Sequence, residues 1–121
     1  MNAQKLEQIE QAIENYKALQ LRVAITELDL TITGAGGGQL GQRGGPSTPL
    51  SAEALAAQAD AYARLFALFV KHRAAIDRVT FWGLNDRRSW RRGQNPLVFD
   101  AENQPKAALQ AIIDAIIKAK A

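Results

Sequence analysis

Apolar residues recur every three or four positions in three segments of the chain, and this spacing predicts three amphipathic helices. The first helix is expected to end near Gln20, and the second to run from an N-cap at Ser51 to near Ala75. The third is expected to open at Pro105, because proline is favoured in the first turn of a helix. The positions that should face the core are Leu6, Ile9, Ile13 and Tyr16 in the first helix, Leu55, Ala59, Tyr62, Phe66 and Phe69 in the second, and Leu109, Ile112, Ile113, Ile116 and Ile117 in the third.

Two shorter segments, residues 21–32 and 78–84, are rich in β-branched and aliphatic residues and are predicted to be strands. A whole helix separates them, so they should pair in parallel through a right-handed crossover. The predicted fold is α/β, in the order α-β-α-β-α. Because a two-stranded parallel sheet leaves both edges unpaired, we expect a homo-oligomer, either a dimer or a tetramer. Its interfaces should cover the strand edges or the apolar faces of Tyr62, Phe66 and Phe69.

Residues 33–49 hold seven of the nine glycines and two of the four prolines, and they are predicted to form a long loop after the first strand. Within this loop Gly36, Gly38 and Gly41 match the G-x-G-x-x-G pattern of dinucleotide-binding turns. Such a site needs a helix to begin at that point, and the QRGGPSTP that follows prevents one. No cofactor is therefore expected.

The composition is that of one globular domain, with 121 residues of which 47% are hydrophobic. The absence of cysteine excludes disulfides, thiolate metal ligands and a thiol nucleophile, and no metal site is expected. The net charge of +3 is spread over 15 basic and 12 acidic residues and indicates no particular partner. No segment has the roughly 18 apolar residues of a membrane span, and the first residues lack a signal-peptide pattern, so no membrane partner is expected.

Acidic, aromatic and basic residues cluster at the predicted C-terminal ends of the two strands. Strict alternation places Glu27 and Asp29 on one face of the first strand, roughly 6.6 Å apart, with Val23 and Ile25 beneath them. One face of the second strand should carry Thr80, Trp82, Leu84 and Asp86, and NDRRSWRR follows directly. Ligands bind at this end of parallel α/β sheets, so this rim is the candidate functional site.

Three segments, ITELDL, VTFWGLNDRRSW and PLVFDAENQPKAALQAII, resemble in order and spacing the seventh strand, eighth strand and closing helix of the glycoside hydrolase family 10 xylanases. The resemblance implies a (β/α)8 barrel, a fold that typically takes about 250 residues. Residues 1–121 would then be a single partial TIM-barrel domain with two of the eight strands, completed by oligomerisation. The resemblance also implies an extracellular or periplasmic location.

By this resemblance Glu27 matches the catalytic nucleophile of a retaining mechanism, and Trp82 and Trp90 match tryptophans that line the sugar subsites nearest the cleavage point. Asp29 would support the site rather than react. The other carbohydrate-binding candidates at this rim are charged: Asp86, Arg87 and Arg88. The family's acid/base glutamate lies on the fourth strand, which has no counterpart in these residues.

Each of these residues also has an alternative interpretation. Glu27 could be a buried acid with a structural partner, and Trp82, on a strand, could belong to the core. Glu27 and Asp29 are not expected to be the catalytic pair, because they project from one side of one strand whereas the two carboxyls of a glycosidase flank the bond. The arginines near Trp90 could bind phosphates beside a stacked base, but a solvated rim is the simpler explanation and no nucleic acid partner is expected. His72, at a helix end, is expected to be solvated.

Three functions remain open at this point. The sequence favours a chain that binds xylan or related β-1,4-glycans through one wall of a xylanase-like cleft and is non-hydrolytic by itself. The alternative is the C-terminal segment of an active retaining endo-1,4-β-xylanase, which hydrolyses xylan when the missing strands are supplied. A truncated product without activity is the third. The acid/base glutamate separates the first two, because hydrolysis by residues 1–121 would need a carboxyl group from elsewhere.

Overall fold

The computed structural model describes residues 1–32 and 51–120, and the glycine-rich loop predicted at 33–49 lies outside them. The described helices and strands follow the predicted α-β-α-β-α order: α1 (Ala3–Ala18), β1 (Val23–Leu28), α2 (Ala52–Lys71), β2 (Ile76–Phe81) and α3 (Ala107–Lys120), with a short 3-10 turn at Asp86–Arg88. Within these residues no helix is both long and apolar enough to cross a membrane.

The ends of α1 and α2 follow from capping and backbone geometry. The side chain of Asn2 accepts a hydrogen bond from a backbone N–H in the first turn of α1 at 2.9 Å, and Ser51 does the same for α2 at 3.0 Å. Helix α1 stops at Ala18, short of its predicted end, because Gln20 has a left-handed φ of 59°, which a right-handed helix cannot include. Helix α2 also ends early, at Lys71.

Strands β1 and β2 pair in parallel, as predicted, but their register shifts between Val23 and Ala24 and again between Ile25 and Leu28, where β1 forms a bulge. Ile25 pairs with Val79 and Leu28 pairs with Phe81, so β1 has one residue more than β2 between these two pairs. The extra residue breaks the alternation of side chains, with the result that Leu28 turns into the core and Glu27 is exposed. The prediction that Glu27 continues the face formed by Val23 and Ile25 is therefore wrong.

The core lies between one face of the sheet and the helices, mainly α2 and α3. Tyr62 and Phe66 of α2 contact Phe81 of β2, with ring centroids 5.9 and 6.0 Å apart. The buried members of this core are Ile13, Leu28, Tyr62, Leu65, Phe66, Phe69, Val98, Ala108 and Ile112. Tyr62, Phe66 and Phe69 are thus covered within the chain, so the prediction that their faces are covered between chains is wrong.

The other face of the sheet has no cover from the residues that the structure describes. Thr26 on β1 and Arg78 and Thr80 on β2 are exposed, because no described element packs over them. Ile113 and Ile117 of α3 were predicted to face the core but are 41 and 63% exposed, since only the opposite side of this largely apolar helix is covered. The chain therefore has apolar and sheet surfaces that its own described residues leave uncovered.

His72 at the end of α2 connects that helix to α1. Its ring is buried, which contradicts the prediction of a solvated histidine. The Nε2 atom lies 2.8 Å from Glu10 Oε1, and Nδ1 lies 3.2 Å from Glu14 Oε1. Lys71 Nζ also donates to Glu10 Oε1 at 2.6 Å. Together these contacts of Lys71 and His72 with Glu10 and Glu14 form a polar clamp between the two helices.

Candidate active site

Glu27 lies at the bulge of β1 and points away from the core. Its carboxylate is exposed and forms no hydrogen bond or ion pair with the residues that the structure describes. The backbone N–H of Trp82 donates to Leu28 O at 3.0 Å, which brings the residue after Glu27 beside the end of β2. An exposed carboxylate without a partner keeps its oxygens available to a ligand, so the interpretation of Glu27 as a buried structural acid is wrong.

Asp29 differs from Glu27 in having strong hydrogen-bond donors. Its side chain is only 9% exposed, and it accepts hydrogen bonds from Trp90 Nε1 at 2.8 Å and from Arg91 Nε at 3.0 Å. The guanidinium carbon of Arg91 lies 4.3 Å from the centroid of the Trp90 ring. Asp29 therefore ties the end of β1 to the loop after β2 and fixes the Trp90 indole from its nitrogen side.

Both tryptophans of the chain lie at this rim and keep part of their rings open. Trp82 is 48% exposed and Trp90 is 41% exposed, so neither is a core residue. Trp82 directly follows β2, whereas Trp90 is held by Asp29 on the neighbouring loop. Partly exposed indole rings of this kind are suited to contact the apolar faces of sugar rings.

Asp86 was predicted to contact sugar, but it is buried and both of its carboxylate oxygens accept hydrogen bonds from the protein. One carboxylate oxygen accepts from Leu97 N at 2.8 Å and the other from Lys106 Nζ at 2.9 Å. The side chains of Asp86 and Lys106 are 1 and 3% exposed. The structure therefore does not support a sugar contact through Asp86, and it assigns this residue to the support of the loop that follows β2.

Arg87 and Arg88, the other charged candidates, lie in the 3-10 turn and are exposed. Arg87 Nη2 is 3.4 Å from Glu102 Oε1, a loose pair in which both side chains are about two-thirds exposed. The Arg88 guanidinium forms no hydrogen bond or ion pair with a described residue. Both arginines remain open to a ligand.

Three polar side chains beneath the rim were not identified from the sequence. Lys106 Nζ donates to Asn95 O and Leu97 O as well as to Asp86. Burial lowers the pKa of Lys106, although the nearby Asp86 carboxylate favours its charged form. Gln58 and Tyr62 of α2 form a second set of bonds. The only signal for this network was the polar Gln58 within an otherwise apolar stretch of α2.

Gln58 and Tyr62 bind the chain after β1 to the loop before α3. Gln58 Nε2 donates to Leu30 O at 2.9 Å and to Asn95 O at 2.8 Å. Tyr62 Oη donates to Pro96 O at 2.7 Å and accepts from Leu30 N at 3.1 Å, and burial raises the pKa of Tyr62. These bonds satisfy buried backbone groups on both segments and hold the two sides of the rim together.

The rim thus combines an exposed carboxylate with two partly exposed indoles at the C-terminal ends of adjacent parallel strands. In the part of the chain that the structure describes, no three His, Asp or Glu side chains are arranged to hold a metal ion. Parallel strands alternating with helices, with functional groups at this end, are the arrangement of α/β barrels. The fold and the rim place the chain in that class.

Comparison with known proteins identifies the family. The model of Glycosyl hydrolase family 10 matches residues 1–115, and the chain belongs to this family. It is 41% identical over 109 residues to an endo-1,4-beta-xylanase/feruloyl esterase of Xylanibacter ruminicola, a match that covers 89% of this chain and 15% of that protein. It is 37% identical over 115 residues to endo-1,4-beta-xylanase B of Paenibacillus barcinonensis, covering 89% of this chain and 33% of that protein.

Solved structures of family members share the fold. A termite-gut family 10 xylanase with a bacterial Ig-like domain matches with a TM-score of 0.81 and 31% identity, over 96% of this chain and 27% of that one. Xylanase XynB of Paenibacillus barcinonensis matches with a TM-score of 0.72 and 36% identity, over 89% and 33%. The chain spans about a third or less of these relatives. The predicted family and the predicted partial TIM barrel are confirmed.

Proposed function

We propose that the chain binds xylan or a related β-1,4-glycan along the rim of Glu27, Trp82 and Trp90, and that it does not hydrolyse xylan by itself. The observation that carries this proposal is the unpartnered Glu27 carboxylate beside two exposed indoles at the ends of adjacent strands. The similar proteins described above are endo-1,4-beta-xylanases, which supports xylan as the substrate class.

The absence of hydrolysis follows from the need for two carboxyl groups that flank the glycosidic bond. Asp29 and Asp86, the other acids predicted at this rim, are held by Trp90 and Lys106, respectively. Residues 33–50 contain no aspartate or glutamate. Of the three acids predicted at this rim, Glu27 alone is therefore free to contact a glycan, which leaves one carboxyl where hydrolysis needs two.

A second candidate function is that of the segment of an active retaining xylanase that carries the nucleophile. It is favoured by the bulge in β1, because bulges re-aim side chains next to active sites and this one frees Glu27 from the core. In that role Glu27 would attack the anomeric carbon and form a glycosyl ester, while an acid from another part of the barrel protonates the leaving oxygen. Water would then hydrolyse the ester.

Binding by the chain alone is tested with neutral xylooligosaccharides. Saturable quenching of tryptophan fluorescence is expected, together with no release of reducing sugar from xylan. Trp82→Ala and Trp90→Ala should each weaken binding by about 1–3 kcal/mol in a calorimetric titration, because each loses a ring that stacks on a sugar.

Tyr16→Ala is the matched control, since Tyr16, wrongly predicted to face the core, is 52% exposed on α1 and lies outside the rim. Its affinity for xylooligosaccharides should equal that of the unmodified chain. If no β-1,4-linked oligosaccharide gives saturable binding, the proposed binding function is wrong. Release of reducing sugar that disappears in Glu27→Gln would replace it with hydrolysis.

A further inference from the structure

A polar depression of about 400 Å³ lies beside the rim, between the 3-10 turn and the loop that precedes α3. Its functional groups come from Asn85, Arg87 and Arg88 on one side and from Glu102 and Asn103 on the other. The volume falls in the range of roughly 300–1,000 Å³ that is usual for small-molecule sites. A single sugar residue or a side group of a polysaccharide would fit such a space.

The walls of this depression are braced by hydrogen bonds. Asn85 Nδ2 donates to Asn103 Oδ1 at 2.6 Å, and Asn85 Oδ1 accepts from the backbone N–H of Arg88 at 3.0 Å. On the opposite loop, Asp100 Oδ1 accepts from the backbone N–H groups of Glu102 and Gln104, each at 2.9 Å. The two walls are therefore joined to each other and held in shape before any ligand arrives.

The charge of the lining is positive. The lining contains two arginines, and Glu102 neutralises part of the charge of one of them through its loose contact with Arg87. Arg88 has no acidic partner among the described residues. Guanidinium groups bind carboxylates through paired, charge-assisted hydrogen bonds. A braced depression with one uncompensated guanidinium is thus suited to a ligand that carries a carboxylate.

The depression is formed by residues that lie next to the proposed xylan-binding rim in the sequence. Its 3-10 turn lies between Trp82 and Trp90, and Leu84 at its edge is two residues after Trp82. A glycan that rests on the two indoles would carry its side groups next to this turn.

We propose that the depression binds the carboxylate of a uronic acid side group on the xylan chain, with Arg88 as its main partner. This inference rests on the proposed xylan binding and adds to it a preference for acidic over neutral xylan. Arg87 would contribute a second guanidinium, weakened by Glu102.

The test compares a neutral xylooligosaccharide with the same backbone bearing one glucuronic acid, titrated calorimetrically into the chain. The acidic ligand should bind about tenfold more tightly, the value of one charge-assisted hydrogen-bond pair. Arg88→Gln should abolish this preference by reducing the affinity for the acidic ligand to about that for the neutral one. Arg64→Gln, which removes an exposed arginine of α2 paired with Asp60, is the matched control and should keep the preference.

Titrations at different salt concentrations and with free anions distinguish a specific uronic acid site from a general anion site. The preference should shrink between about 20 and about 300 mM salt, because exposed charges are screened. Equal affinity for the two ligands, or an equal loss for both in Arg88→Gln, would overturn the inference while leaving xylan binding intact. Free glucuronate or sulfate that binds as tightly as the acidic oligosaccharide would also overturn it, by showing a general anion site. If neither oligosaccharide binds, the proposed function fails and the inference falls with it.

Discussion

Glu27 and Asp29 are two positions apart, yet their carboxylates have opposite surroundings. Glu27 is exposed and has no partner among the described residues, whereas Asp29 is nearly buried and accepts two hydrogen bonds from the loop after β2. Donors stabilise the charge of a carboxylate and reduce its tendency to attack. At the scale of single residues, Glu27 is therefore suited to react or to contact sugar, and Asp29 to position Trp90.

The role of Glu27 can be tested by trapping. We would co-express the chain with the part of the Paenibacillus barcinonensis xylanase that it does not match, and treat the complex with a 2-deoxy-2-fluoro-xylobioside bearing a good leaving group. The fluorine slows both chemical steps, so a covalent ester should accumulate on Glu27 and be detected by peptide mass spectrometry. Glu27→Gln should abolish the label and lower xylan hydrolysis by about 10⁴-fold or more.

Glu102→Gln provides the matched control, because it alters an exposed carboxylate near the same rim without touching Glu27. It should retain both the label and the activity. A complex that hydrolyses xylan but carries the label on Asp29, or on a residue outside this chain, would contradict the nucleophile assignment.

Whether a polar residue faces a ligand or the protein interior was the hardest feature to predict from the sequence. Asp86 belongs to the same polar loop as Arg87 and Arg88, and nothing in its neighbours distinguishes it from them. Its inward orientation depends on Lys106, a residue 20 positions away that reaches the same buried space. Local sequence patterns contain no information on such a partner, whereas the exposed positions of Trp90 and the arginines followed from their charged surroundings.

At the scale of elements, the helices were predictable because their apolar spacing is a local property. The observed end of α1 differs from the predicted one because the positive φ of Gln20 stops the helix before that residue. The strands were also predictable from local composition. The bulge in β1 was not, because an extra residue in one strand is defined only relative to its partner β2. The exposure of Glu27 could be derived from the family resemblance but not from strand periodicity.

The clamp between α1 and α2 gives an element-scale prediction about pH. Hydrogen bonds from Lys71 and His72 hold the pKa of Glu10 below its ordinary value of 4.5. Because the pKa of Glu10 is lower in the folded state than in the unfolded chain, its ionised carboxylate stabilises the fold fully at pH values above 4.5. This stabilisation is lost as the pH falls through the pKa that Glu10 has in the folded state. The urea midpoint of Glu10→Gln should therefore lie below that of the unmodified chain at about pH 6, and the two midpoints should approach each other at about pH 3.

Glu7→Gln is the control for this experiment, because Glu7 is an exposed acid on the same helix with no partner among the described residues. Its urea midpoint should follow that of the unmodified chain at both pH values. A difference between Glu10→Gln and the unmodified chain that stays constant with pH would show that the clamp does not depend on the charge of Glu10.

At the scale of the whole molecule, the described sheet has two strands, and each has one edge without a partner among the described residues. No described element covers the face of the sheet opposite α2 either. In a complete barrel, closure pairs every edge and side chains fill the interior. In such a barrel the rim of this chain would form one side of the C-terminal end, and the proposed reaction would need a second carboxyl from another part of the barrel.

Self-association of the 121-residue chain is the prediction that follows from these surfaces. Unpaired strand edges template pairing with another copy, and the exposed Ile113 and Ile117 on α3 add apolar area that association would bury. A ring of four copies would supply eight strands, but each copy brings three helices for two strands, so one helix at every junction would have to leave its place. We therefore expect a dimer or an incompletely closed tetramer, seen in light scattering at micromolar concentration as a multiple of 13.2 kDa. A particle of 13.2 kDa that unfolds cooperatively would show that the chain covers its own edges and would contradict this prediction.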